Sequence, residues 1–168
     1  VYKPSKVTHT ISPSMDIHVA SNFERLIFDI CSCNSNETLE LMNDLIQKGE
    51  FRIKKDNLKK IHQSFCSESI SEVETKSIMK KIYKDEKILI DPHTAVGIGA
   101  FNKVSLEGDT VVLGTADPSK FSDTVMKETG KNPELPEKLK IILNRKEKFK
   151  TLPRDLEKIK EYILSKIN

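Results

Sequence analysis

Thr115 and His93 are the side chains of this chain whose surroundings best suit them to chemistry. Thr115 follows the apolar, β-branched run Thr110-Val111-Val112-Leu113-Gly114 and precedes Asp117-Pro118, a helix start. In open α/β sheets, ligands are held where a strand's carboxyl end meets the next helix, so a hydroxyl there is a candidate ligand contact. Thr115 could instead satisfy a backbone group at the strand end. His93 falls in the first turn of a second Asp-Pro helix start, directly after Asp91-Pro92. A helix N-terminus disfavours imidazolium and attracts anions, so a neutral histidine there could donate a hydrogen bond to a phosphate or carboxylate. A structural bond to a neighbouring loop fits the same position equally well. Asp91 reads as a helix cap rather than a base.

A second group of polar side chains lies between Ser12 and Arg25. Ser14, Asp16, Ser21, Asn22 and Arg25 could line a pocket for a phosphorylated substrate, with Ser21 and Asn22 at a helix start where an anion is favoured. Competing uses are visible in the same residues: Ser21 can be committed to a capping box with Glu24, and Arg25 can pair with Asp29 one turn on. Asp16, Asn22 and Arg25 are carried forward as candidate substrate contacts.

The elements that must position these groups read as helices first. Ser21-x-x-Glu24 predicts a helix start, followed by Phe23, Leu26, Ile27 and Ile30 on one face. A helix is predicted over Ser35–Lys48 with Gly49 as its left-handed stop, and another over about Asp56–Ser67. A fourth opens at the box Ser71-x-x-Glu74, with Glu72 and Lys76 paired at i, i+4. The pattern then turns to the alternation of an α/β protein. Strands are predicted at Lys87–Ile90 and Thr110–Gly114, and helices over Asp91–Phe101 and Asp117–Glu128. Lys131–Lys150 reads as surface loop with a short helix, and a last helix begins at Pro153. No internal domain boundary is legible within residues 1–168.

Composition narrows the function classes. The 28 basic and 25 acidic residues are interleaved to a net charge of +3, which gives no footprint for nucleic acid or an anionic membrane. No apolar run approaches the ~20 residues of a membrane span. Cys31, Cys33 and Cys66 are an odd count without zinc or redox spacing, as expected of free thiols in a reducing cytoplasm. The chain starts at Val1 without a signal or transit pattern, which favours a piece of a longer chain. Val96-Gly97-Ile98-Gly99-Ala100 lacks the third glycine and the preceding strand of a dinucleotide fingerprint, so its glycines are expected to allow close helix packing.

Four stretches, in order and approximate spacing, resemble the C-terminal part of threonine synthase, a pyridoxal-phosphate enzyme. They are Ile11-Ser12-Pro13-Ser14-Met15-Asp16-Ile17, Ser21-Asn22-Phe23-Glu24-Arg25-Leu26, Asp91-Pro92-His93-Thr94-Ala95-Val96, and Leu113-Gly114-Thr115-Ala116-Asp117-Pro118-Ser119-Lys120-Phe121. The resemblance implies an α/β fold, the helix-rich C-terminal part of a fold-type II pyridoxal-phosphate enzyme with a few parallel strands. It implies a lyase that converts O-phosphohomoserine and water to threonine and phosphate. Thr115 would then stand against the pyridine nitrogen of pyridoxal phosphate, and His93 on the cofactor side. The Schiff-base lysine and the phosphate-cradling glycine loop of that family lie upstream of these motifs, so the missing N-terminal part of the same enzyme is the expected partner. Phe149-Lys150 is similar to the family's Schiff-base Phe-Lys, but it lies at the wrong end of the chain with Thr151 in place of an aspartate. Two other readings stand beside this one: a non-catalytic helical interaction module derived from such an enzyme, and a related phospho-amino-acid lyase that ends in a ketoacid.

Overall fold

The computed structural model describes residues 1–143 and 145–167, and among them regular structure is entirely helical. The helices are α1 (Phe23–Ile30), α2 (Ser35–Lys48), α3 (Lys55–Ser64), α4 (Glu72–Glu86), α5 (Pro92–Lys103), α6 (Ser122–Thr129), α7 (Glu137–Leu143) and α8 (Leu156–Ile167). Short 3₁₀ turns at Pro13–Met15 and Pro118–Phe121 complete the set. The chain divides into two compact units, Val1–Pro133 and Glu134–Asn168.

The α/β fold class with a few parallel strands is corrected by this architecture. A strand exists only through hydrogen bonds to a neighbour, and neither predicted segment has one. The one bridge among the described residues joins Tyr2 to Phe51 at the other end of the unit. Apolar, β-branched composition does not by itself establish pairing. Leu89 and Ile90 pack against the buried Met79, Ala95 and Val125, while Val111 and Leu113 remain exposed in irregular chain.

Two apolar clusters organise the first unit. In one, Ile27, Ile30, Cys31 and Phe51 are buried under Leu26, Leu41, Met42, Leu45, Ile53 and Ile61 of the surrounding helices and loop. Tyr2 stacks on Phe23 and Phe51 at ring distances of 5.1 and 5.0 Å, which ties the chain's start to this cluster. In the other, Met79 of α4, Ala95 of α5 and Val125 of α6 are fully buried, with Ile11, Ile78 and Phe121 packed around them. Gly99 sets the approach of α5 to α4: a Cβ there would lie 2.9 Å from Ile78 Cδ1 and 3.0 Å from Ile70 Cγ2.

Helix ends follow local chemistry in most places. Gly49 stops α2 at φ 74°. Ser71 and Glu74 form the expected capping box at α4, and Glu72 pairs with Lys76 at 2.7 Å. The predicted box at Ser21 does not form. The Phe23 N–H bonds the Ala20 carbonyl at 2.9 Å, so Ser21 and Asn22 are the central residues of a turn and α1 starts at Phe23 with no side-chain cap bond. The last helix starts at Leu156 rather than Pro153, with Asp155 Oδ1 accepting the N–H groups of Glu157 and Lys158.

Candidate functional site

The site is built on the N-terminus of α5. Proline at the first helical position has a preset φ and no N–H to leave unpaired, and Asp91 before it caps the helix. Asp91 is completely buried, and its carboxylate does more than cap. Oδ1 accepts the His93 N–H at 2.9 Å and His93 Nδ1–H at 2.7 Å. Oδ2 accepts the Thr94 N–H at 3.3 Å and the Thr94 hydroxyl.

On the other side of its ring, His93 Nε2 lies 3.1 Å from the backbone N–H of Ser14. A backbone N–H can only donate, so Nε2 carries a lone pair and the single ring proton sits on Nδ1. The Asp91–His93 contact is thus a hydrogen bond from a neutral imidazole to a carboxylate. His93 keeps no N–H to offer an anion. Its ring packs on Phe121, with centroids 4.7 Å apart.

The Thr10–Asp16 loop that His93 holds is tied down twice more. Asp16 accepts from Thr10 N–H and from the Thr10 hydroxyl, both at 2.7 Å. These two donors, backbone first, hold the Asp16 carboxyl below the usual aspartate range. Having donated to Asp16, the Thr10 hydroxyl accepts from Ser12 N–H at 3.1 Å and from the Ser12 hydroxyl at 3.0 Å. Ile11 N–H donates to Glu72 Oε1 of α4 at 2.6 Å. Lys76, and after it this N–H, keep Glu72 ionised below its usual range.

The structure brings Thr115 and His93 onto one cavity and leaves Asn22 and Arg25 on another. The first is an open, mainly apolar cavity of about 400 Å³, whose lining includes Met15, His93, Gly97, Phe101, Val112 and Thr115. Thr115 is exposed, and its hydroxyl has no hydrogen-bond partner among the described residues. Asp117, two residues on, is held below the usual carboxylate range by the Ser119 hydroxyl and N–H. The second is an exposed groove of about 770 Å³ along α1 and the start of α2, which includes Ser21, Asn22, Arg25 and Asp29. Arg25 Nη2 donates to Asn22 Oδ1 at 3.2 Å rather than pairing with Asp29.

A pyridine ring nitrogen needs one polar neighbour and flat apolar walls. The first cavity carries the Thr115 hydroxyl and the apolar surfaces of Val112, Leu113 and Phe101, with Ser67 and Glu68 also on its lining. No lysine lines it among the described residues, so these residues fit one edge of such a cofactor and not its covalent anchor. Sequence reasoning passed over Asp91 and Thr94 as more than cap and helix. The cap pattern was visible, but the partner that makes it a hub, Ser14, lies 79 residues away.

Comparison with known proteins finds what this chain is similar to. A sequence model for "Threonine synthase, C-terminal" matches residues 94–163. The threonine synthase of Pseudomonas aeruginosa is 34% identical over 165 residues, covering 96% of this chain and 35% of the relative. That of Corynebacterium glutamicum is also 34% identical, covering 98% of this chain and 36% of the relative. The crystal structure of pyridoxal-phosphate-bound threonine synthase from Brucella melitensis superposes with a TM-score of 0.81 at 36% identity, over 96% of this chain and 35% of that one. The yeast threonine synthase structure gives 0.75 at 31% identity, covering 99% of this chain and 38% of that one. The chain is therefore homologous to the C-terminal region of the threonine synthases, which are pyridoxal-phosphate lyases. It spans about a third of the length of the relatives it matches. No helix of the described residues is long and apolar enough to cross a membrane.

Proposed function

We propose that this chain is the C-terminal portion of a cytoplasmic threonine synthase, which converts O-phosphohomoserine and water to threonine and phosphate. In this reading Thr115 presents its hydroxyl to the ring nitrogen of pyridoxal phosphate, and the upstream part of the same enzyme supplies the Schiff-base lysine and the phosphate loop. The observation that carries the reading is the Thr115 hydroxyl on a mainly apolar cavity, in a chain similar over 96% of its length to a pyridoxal-phosphate-bound relative. Pyridoxal phosphate, when bound, supplies the electron sink for proton removal next to the amino group. A neutral hydroxyl, unlike a carboxylate, leaves the ring nitrogen unprotonated and so moderates that sink. His93 stands at the cavity wall on the cofactor side, and Met15 at the end of the anchored loop helps to exclude water. Arg25 and Asn22 supply a cation and an amide for the charged substrate, and Asp16 a carboxylate. Three free cysteines, one of them buried, suit a reducing compartment.

The test is phosphate release from O-phosphohomoserine by the native-length protein with pyridoxal phosphate, alongside Thr115→Val and Thr115→Ser. Loss of one hydrogen bond predicts a fall of about tenfold in kcat/KM for Thr115→Val, restored by serine. The 168-residue piece alone is expected to release none. Absence of activity in the native-length protein, activity in the isolated piece, or a Thr115→Val variant as active as its parent would refute the reading.

A further inference from the structure

We infer that Asp91 is a positioning residue for the Thr115 cavity: one buried carboxylate fixes two side chains that set the two chain segments bounding it. The inference rests on the cofactor reading for its function, but its geometry stands independently. A helix cap needs only the backbone N–H groups that follow it, and Asp91 takes those of His93 and Thr94. The two further bonds, from His93 Nδ1–H and the Thr94 hydroxyl, contribute nothing to capping. They orient side chains instead. Through Oδ1, Asp91 fixes the His93 proton on Nδ1, which leaves Nε2 free to accept Ser14 N–H and hold the Thr10–Asp16 loop, with Met15, at one side of the cavity. Through Oδ2, it turns the Thr94 hydroxyl inward. Thr94 Oγ1 then lies 3.7 Å from where a Cβ on Gly114 would be, against the residue before Thr115.

Replacing Asp91 by asparagine keeps a good cap and removes one acceptor. Asparagine has a single oxygen for what two carboxylate oxygens do, and its NH₂ group is a donor. When the NH₂ faces His93, Nδ1 has to accept, the ring proton moves to Nε2, and there it opposes the Ser14 N–H. When it faces Thr94, the hydroxyl loses its acceptor and turns. Either arrangement releases one of the two segments.

The experiment uses native-length protein with ring-¹⁵N-labelled histidine and assigned amides. In the parent, NMR is expected to show His93 protonated on Nδ1 alone, with the Ser14 amide protected from exchange. Asp91→Asn is expected to move the ring proton or shift the Gly114 and Thr115 amides. Where the ring proton moves, Ser14 exchange rises about tenfold while the later turns of α5 keep their protection. Thr94→Val is expected to shift the Gly114 and Thr115 amides and leave Ser14 unchanged, and it carries the test if Asp91→Asn fails to fold. A parent His93 protonated on Nε2, or variants in which neither segment responds, would overturn the inference. Where the segments respond as described but the protein neither binds pyridoxal phosphate nor releases phosphate, the cofactor reading fails and the positioning role of Asp91 stands.

Discussion

Gly97 and Gly99 lie two residues apart inside α5, and replacing each by alanine separates helix propensity from packing. In a helix interior, glycine to alanine gains about 0.8–1.0 kcal/mol of propensity at either position. The surroundings differ. A Cβ at Gly97 would meet one atom within 4 Å, Val112 Cγ1 at 3.3 Å, on an irregular segment with room to yield. A Cβ at Gly99 would meet Ile78 Cδ1 at 2.9 Å, Ile70 Cγ2 at 3.0 Å and Ile70 Cδ1 at 3.1 Å. Ile78 can swing its terminal methyl, but Ile70 Cγ2 yields only through the stiff χ1 of a β-branched side chain or a shift of the backbone ahead of α4. Overpacking of this kind costs about 1–3 kcal/mol, which exceeds the propensity gain over most of its range. Gly97→Ala is thus expected to be neutral or stabilising by up to about 1 kcal/mol, and Gly99→Ala destabilising by up to about 2 kcal/mol. Urea unfolding of both variants at unchanged m gives the comparison. A second change, Ile78→Val, removes the nearest atom and should recover part of the Gly99→Ala loss in a double-mutant cycle. Equal midpoints for the two alanine variants would refute the assignment of Gly99 as the residue that sets α4 against α5.

Two further outcomes follow from the same unit. Lys103, and after it the Ser71 hydroxyl and N–H, hold the Glu74 carboxyl down to about 2 from an ordinary 4.5, so the folded chain binds that proton more weakly than the unfolded one. Stability from Glu74 is therefore complete above pH 4.5 and drains as pH falls toward 2. In Glu74→Gln, the urea midpoint should lose that part of its acid dependence, and a full-strength slope in the variant would exclude the group. Met79 is fully buried between Ala95 and Val125, and Met79→Ala should cost about 2–5 kcal/mol by chemical denaturation, with a loss under 1 kcal/mol arguing against a close-packed second cluster.

Local pairs were the legible part of the sequence. The Ser71–Glu74 box, the Glu72–Lys76 pair and the Gly49 stop each involve residues within one turn of one another, and each is present. Ser21–Glu24 has the same spelling and fails, because a box also requires an extended residue at the cap, and the turn from Ala20 to Phe23 denies it. Thr110–Gly114 shows the opposite limit. Its β-branched residues were read as a strand, yet pairing is a property of two segments, and composition speaks for one. Val112 does turn toward α5, while Val111 and Leu113 remain exposed without a ladder. For the site, chain pattern placed Thr115 and His93 near helix starts, and only the family resemblance pointed to a cofactor. The direction of the His93 hydrogen bonds was beyond sequence reading, since it depends on an amide 79 residues distant.

The anchoring of the Thr10–Asp16 loop explains why polar residues so close in sequence have different prospects as ligand contacts. Loops that carry function are usually mobile, and a rigid one has to be tied by groups from outside it. Here the ties come from Glu72 on α4 and His93 on α5, and from Asp16 within the loop. Each tie uses up a polar group. Asp16 has both oxygens engaged by Thr10, and His93 has both nitrogens engaged. Thr115 and Arg25 are the opposite case: the first has no partner among the described residues, and the second is exposed with one bond to its neighbour Asn22. Binding a ligand through Asp16 or His93 requires first breaking a bond worth about 1 kcal/mol or more, whereas the exposed Thr115 hydroxyl has no such bond within the described residues to break. Satisfied residues thus fix the shape of the loop, while Thr115 and Arg25, on separate cavities, keep polar atoms open to solvent.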